Sequence, residues 1–420
     1  MSSQLQILNL LLLLMMTILA PAHTAQGQTV SIKSKITAVQ PMTGIVLWSD
    51  NENAANHPDS ITLEYRYCGY NEVVDANGNY DFSKIDGILD RIANRNHQAV
   101  LRFYFCYPGK ETTVPESIRA RLDYNETIGT SEGKKTHFCD WSNKALQDFT
   151  LEFYSKFAQR YDNDCRLAFL QTGFGLWAEY HIYSGPNQMG KTFPDKKYQD
   201  TFLRHLDSTF KNTPWSISVD AADNNYSPLE HDTELLALKF GVFDDSFLCK
   251  RHAKENLLNW KILDLKRWQQ QPGGGELNYY TKKDQKNALK PNGPHGVSFE
   301  ASAKQFHISY MIGNDQPVHS TMQRVKAAGM STGYQFRLTA ATRTGDDLVL
   351  TVTNNGVAPI YQDAYFAAGS KRSNTSLKGL LPGQSVQCKI TGIQTSDLQQ
   401  VSIQCDAILP TQTIQFESSL

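Results

Sequence analysis

Between residues 42 and 330 the apolar positions switch repeatedly between two periods. GIVLW (44–48) is a short apolar run of strand type. ITLEYRY (61–67) alternates with period two, as a half-buried strand does. FSKIDGILDRIANRN (82–96) then repeats at helical spacing, with Phe82, Ile85, Ile88, Leu89 and Ile92 on one face. The same logic predicts further strands at 98–105, 167–175, 215–221, 238–245, 273–277 and 308–313. Helices are predicted at 144–162, 198–211, 255–271, 299–307 and 318–329. GGGEL (273–277) is the weakest strand by propensity, because glycine has no side chain to pack on a sheet.

Eight strands alternating with helices over about 290 residues match the count and length of a (β/α)8 TIM barrel, an α/β fold. A doubly wound open sheet is the competing arrangement. Its phosphate-binding glycine fingerprint is missing after the first strand. Past residue 332 the pattern becomes period two only, with Asn355-Gly356 and Pro382-Gly383 as turn signals. The expectation is a barrel over 35–331 and a small antiparallel β-sandwich over 332–420. No low-complexity linker separates them, so they should pack tightly.

The N-terminus adds a processing signal. The apolar run Ile7–Ala20 is short for a membrane span and is followed by small residues. Residues 1–27 therefore read as a secretory signal peptide, although no Lys or Arg precedes the run. The chain is expected to be exported, periplasmic or extracellular, with no membrane span after cleavage. A net charge of −1 and no basic patch argue against nucleic acid as a partner. Seven cysteines make disulfides possible on export, with Cys388 and Cys405 the preferred pair. Cys68, Cys106 and Cys139 are candidates for a second bridge. No CxxC or Cys/His ligand spacing is present, and no metal or cofactor is expected.

Functional residues of such a barrel gather where the strands end. Strand two brings Arg66 and Tyr67, strand three Arg102, and strand four Trp177 and Glu179. Strand six ends at Asp245, strand seven at Glu276 and strand eight near Asn314. Glu179 and Glu276 come from opposite walls, so two carboxyls could face each other across a bound sugar. One would protonate the leaving oxygen while the other attacks the anomeric carbon or activates water. Taken singly, each glutamate could be a helix N-terminal charge. Arg66 and Arg102 could hold a carboxylate ionised, or form structural ion pairs. Asp245 could contact hydroxyls or cap a helix. Trp177 and Tyr67 could stack on a sugar or belong to the core. Asn314 joins them as a candidate substrate contact. His181 and His307 read as structural histidines.

The series PMTGIVLW, ITLEYRYCGYNEV, YDFSKIDGIL, AVLRFYFCYPGK, FLQTGFGLWAEYH, GVFDDSF, GGGEL and FHISYMIGN resembles exported bacterial proteins with a glycosidase-like TIM barrel and a C-terminal domain of unknown function. The barrel is similar to the glycoside hydrolase clan with catalytic glutamates after strands four and seven. That resemblance implies Glu179 as acid/base, Glu276 as nucleophile and a carbohydrate substrate. The clan has Asn directly before the strand-four glutamate, and here Ala178 stands there. The expected activity is hydrolysis of a polysaccharide or oligosaccharide. The rivals are a glycan-binding barrel without catalysis and, third, a polysaccharide lyase using Tyr67 with Arg66.

Overall fold

The computed structural model describes residues 27–420. The apolar run and the expected cleavage region lie outside them. Eight parallel strands close into a barrel: β1 (Gly44–Trp48), β2 (Leu63–Gly69), β3 (Gln98–Tyr104), β4 (Leu167–Gln171), β5 (Trp215–Ser218), β6 (Gly241–Phe247), β7 (Gly273–Leu277) and β8 (Tyr310–Ile312). They pair in chain order, and β8 closes on β1 through Tyr310↔Gly44 and Ile312↔Val46. The principal outer helices are α1 (Ser83–Ala93), α2 (Lys144–Tyr161), α3 (Lys196–Thr209), α4 (Ala253–Ile262), α5 (Phe299–Phe306) and α6 (Met322–Gly329). Asn143 and Asp195 cap α2 and α3, their side chains accepting from otherwise free backbone N–H groups.

Alternation along each strand separates two cores. Outward residues such as Leu47, Leu101, Phe103 and Leu170 pack under the helices. Inward residues Val46, Tyr65, Val100, Phe169 and Tyr310 fill the barrel. Phe169 stacks on Tyr310 at 4.8 Å between ring centroids. Gly274 explains the glycine run of β7: a Cβ there would lie 2.4 Å from the Tyr310 ring. The glycine yields its place to an aromatic from the neighbouring strand.

The C-terminal strands β9 (Phe336–Thr344), β10 (Asp347–Asn354), β11 (Ala364–Ala368), β12 (Ser385–Ile390), β13 (Val401–Cys405) and β14 (Phe416–Ser419) form the sandwich. One sheet runs β12-β10-β9-β14, and β11 pairs with β13 in the other. Gln28–Thr29 pairs with β9 and Lys33–Ser34 with β14, so residues ahead of the barrel complete this sheet. The sandwich core runs into the barrel interior through Met42 and Tyr334. Tyr334 donates from its hydroxyl to Pro41 O at 3.1 Å, and Tyr361 to Trp268 O at 2.6 Å.

One expectation changes, and one element is added. No two cysteines are joined in the structure. Cys388 and Cys405, the preferred pair, occupy opposite sheets, in register with Leu350 and Ala364. The chain between β3 and α2 also holds a hairpin, Thr127–Ser131 with Lys134–Phe138. Among the described residues no helix is long and apolar enough to cross a membrane.

Candidate active site

β4 ends at Gln171, so Glu179 stands on a loop rather than at the strand tip. That loop doubles back on itself. Gly175 N–H donates to Glu179 O at 2.8 Å, and Leu176 N–H to His181 O at 3.1 Å. A Cβ on Gly175 would lie 2.0 Å from His181 O, so only glycine lets the two passes meet. At the tip, Glu179 N–H donates to Leu176 O at 3.0 Å, across Trp177 (φ 55°) and Ala178 (φ 57°). Two consecutive positive φ values within such a bond are the signature of a primed hairpin turn. Neither residue is glycine, at a cost of roughly 1–2 kcal/mol each. Trp177 N–H donates to Cys106 O at 3.0 Å, which moors the turn to the end of β3.

The turn delivers Glu179 to Arg102, a fully buried residue of β3. Arg102 Nη1 donates to Glu179 Oε1 at 3.2 Å, to the Tyr67 hydroxyl at 3.2 Å and to Trp177 O at 3.3 Å. Its Nε donates to Gln171 Oε1 at 2.8 Å, and Gln171 passes the chain on to the Tyr310 hydroxyl at 2.8 Å. The guanidinium lies 4.2 Å from the Phe243 ring centroid. Among the described residues its Nη2 has no hydrogen-bond partner.

His181 faces the other Glu179 oxygen: Nε2 and Oε2 are 3.1 Å apart. The same nitrogen is 3.7 Å from Asp220 and 3.9 Å from Asp245. Burial and the nearby Asp245 charge push the Glu179 carboxyl up to about 8, against the pull of His181 and Arg102. Burial pushes Glu276 up to about 7, opposed by Arg102 and aided by Asp245. Asp220 rises to about 6 through burial and the Asp245 charge. Burial opposes ionisation of Asp245 too, but the His181 hydrogen bond and charge hold it below the usual range. His181 is raised well above an ordinary imidazole: its partners outweigh a burial that works the other way.

The other predicted residues divide. Tyr67 joins Arg102 and an aromatic wall, edge-on to Trp48, Tyr104 and Tyr107. Trp177 stacks on Tyr183 at 5.9 Å. Asp245 faces His181, whereas its neighbour Asp244 is engaged outward by Asn256 Nδ2 at 2.8 Å. Arg66 is out of phase with Tyr65 and Tyr67, so it lies on the alternate face of β2 together with Glu64 and Cys68. Asn314 fastens the end of β1, accepting from Trp48 N–H at 3.0 Å and Asn51 Nδ2 at 2.8 Å. His181, read from sequence as structural, stands at the centre of the carboxylates. The visible signal was Glu179-x-His181 within one short stretch.

A cavity of about 890 Å³ opens beside these groups, with His181, Asp220 and Asp245 on its inner wall and Tyr183, Lys250 and Tyr280 on its rim. Tyr183 and Tyr280 are more than half exposed. Neither glutamate forms part of that wall. Glu179, His181, Asp220 and Asp245 each offer a ligand atom within 4.8 Å of the others, a donor set with the chemistry to take a divalent cation. The Arg102 guanidinium, and His181 in its protonated form, supply positive charge to the same carboxylates.

No family model and no curated protein matches the chain. Similar solved structures include a GH30 endoxylanase from Clostridium papyrosolvens C71, at 9% identity and a TM-score of 0.39, over 86% of this chain and 98% of that one. A GH36 α-galactosidase from Geobacillus stearothermophilus is similar at 10% identity and a TM-score of 0.40, over 84% of this chain and 55% of that one. An α-galactosidase from Thermus thermophilus is similar at 13% identity and a TM-score of 0.42, over 76% and 67% of the two chains. These three neighbours are glycoside hydrolases.

Proposed function

We propose that the protein is an exported glycoside hydrolase acting on a polysaccharide or its oligosaccharides, with Glu179 as acid/base and Glu276 as nucleophile. One observation carries this reading. Two carboxyls at the barrel mouth, the buried Glu179 after β4 and the half-buried Glu276 on β7, are both raised above the usual carboxylate range while the buried Arg102 pulls on each. Burial favours a protonated Glu179, as a proton donor requires, and the Arg102 charge favours an ionised Glu276, as a nucleophile requires.

The step follows from those states. Glu179 donates its proton to the glycosidic oxygen as Glu276 attacks the anomeric carbon and the C–O bond breaks. Glu179, now ionised, takes a proton from water, which displaces Glu276 and releases the sugar with retained configuration. Arg102 favours the ionised state of both carboxyls, while Asp245 opposes it. Tyr183 and Tyr280 offer exposed rings on which sugar faces can stack.

The test is release of reducing ends from a panel of glycans by the wild type, Glu179→Gln and Glu276→Gln. Either substitution should lower kcat/KM by about 10²–10⁴-fold with the melting temperature maintained. Full activity in both variants would overturn the assignment. Unsaturated products would indicate the lyase chemistry instead, and binding without turnover the non-catalytic barrel.

A further inference from the structure

The Sγ atoms of Cys106 and Cys139 lie 3.6 Å apart. Both residues are wholly buried. Cys106 stands two residues past the end of β3, and Cys139 directly follows the hairpin strand Lys134–Phe138. Neither takes part in the chemistry proposed above. We propose that this pair forms a disulfide when the protein folds under oxidising conditions.

Two sulfurs in contact need to close to about 2.05 Å, a movement that two side chains can share. The surroundings favour closure over separation. Phe105, next to Cys106, and Trp141, two residues after Cys139, meet edge to face at 5.3 Å. Asp140, next to Cys139, is held by Asn125 N–H at 2.9 Å and by Lys191 Nζ at 2.8 Å. In the folded protein, burial pushes the Cys139 thiol well above its ordinary range, so it is a poor nucleophile there. The bond therefore forms during folding, before the hairpin covers the pair.

The chemistry balances with a disulfide oxidant of the glutathione type. The two thiols lose two protons and two electrons and become one S–S bond, and the oxidant is reduced to two thiols. The consequence is local. Cys106 O accepts the Trp177 N–H that moors the Glu179 turn, so the bridge would tie the base of that turn to the covering hairpin. The proposal concerns the covalent state alone and holds or fails independently of the hydrolase reading.

The experiment is to refold the full chain with mixed oxidised and reduced glutathione, denature it, alkylate without reduction and map the peptides by mass. The expected result is five alkylated cysteines and one cross-linked peptide pair containing Cys106 and Cys139. Dithiothreitol should lower the melting temperature of this protein by roughly 5 °C or more. It should leave a Cys106→Ala/Cys139→Ala variant unmoved. Seven alkylated cysteines after oxidative folding would overturn the proposal. So would a bridge elsewhere with Cys106 and Cys139 both free.

Discussion

The two ends of the barrel are made from the same eight strands but treat burial in opposite ways. At the N-terminal end Phe169 and Tyr310 stack in the interior, and Met42 and Tyr334 carry the apolar core on into the sandwich. Shape complementarity is enough to hold it. At the C-terminal end the interior turns acidic, with Glu179, Asp220, Asp245 and Glu276 gathered around Arg102 and His181. Three of these four acids are pushed above the usual carboxylate range, so the mouth is held at a cost in stability. Glu64 sharpens the contrast. It is fully buried, on the outer face of β2, and Arg95 and His97 both bind it. A buried acid kept for structure has dedicated partners; the mouth acids share theirs.

Substitutions at the two ends should separate these roles. The largest effect on stability belongs to the lower end. Phe169→Ala should destabilise by about 3–5 kcal/mol in denaturant unfolding, since it opens a cavity against Tyr310. The surviving folded fraction should keep the wild-type pH–rate profile.

The second effect concerns pH. Glu179 in the folded protein is raised to about 8 from an ordinary value of 4.5, so the folded state binds the extra proton between those values. Its contribution to stability is present below pH 4.5 and is lost as pH rises through about 8. Glu276 and His181 act in the same direction. Melting temperature should therefore fall from pH 5 to pH 8, and Glu179→Gln should flatten that slope. The difference is on the order of 2–4 kcal/mol by unfolding at the two pH values.

Arg102→Met should give the smallest change. The guanidinium lowers both glutamates, so its loss moves both limbs of the pH–rate profile upward, by about one unit. A downward shift would show that Arg102 does not act through these carboxyls.

Most of the barrel was legible because each strand and helix carries its own period. The strand ends were less so. LAFLQTGFG read as one strand, but only Leu167–Gln171 pairs, because the glycines that follow fold the loop back. The hairpin Thr127–Ser131 with Lys134–Phe138 escaped notice, since its strands are short, polar and partly exposed. Glu179 and Glu276 were placed at the barrel mouth from strand number alone. His181 was not, because its place depends on two left-handed residues, Trp177 and Ala178, that propensity does not foresee. Arg66 was misjudged for a simpler reason: adjacent residues on a strand face opposite ways.

The proposed division of labour between the two glutamates is tested most directly by leaving-group dependence. Measure kcat/KM of Glu179→Gln on a natural glycoside and on a dinitrophenyl glycoside of the same sugar. A dinitrophenolate departs without being protonated, so bond cleavage on that substrate should be spared while the natural one is lost. Glu276→Gln should fail on both. Equal loss on the two substrates by Glu179→Gln would contradict its role as the acid.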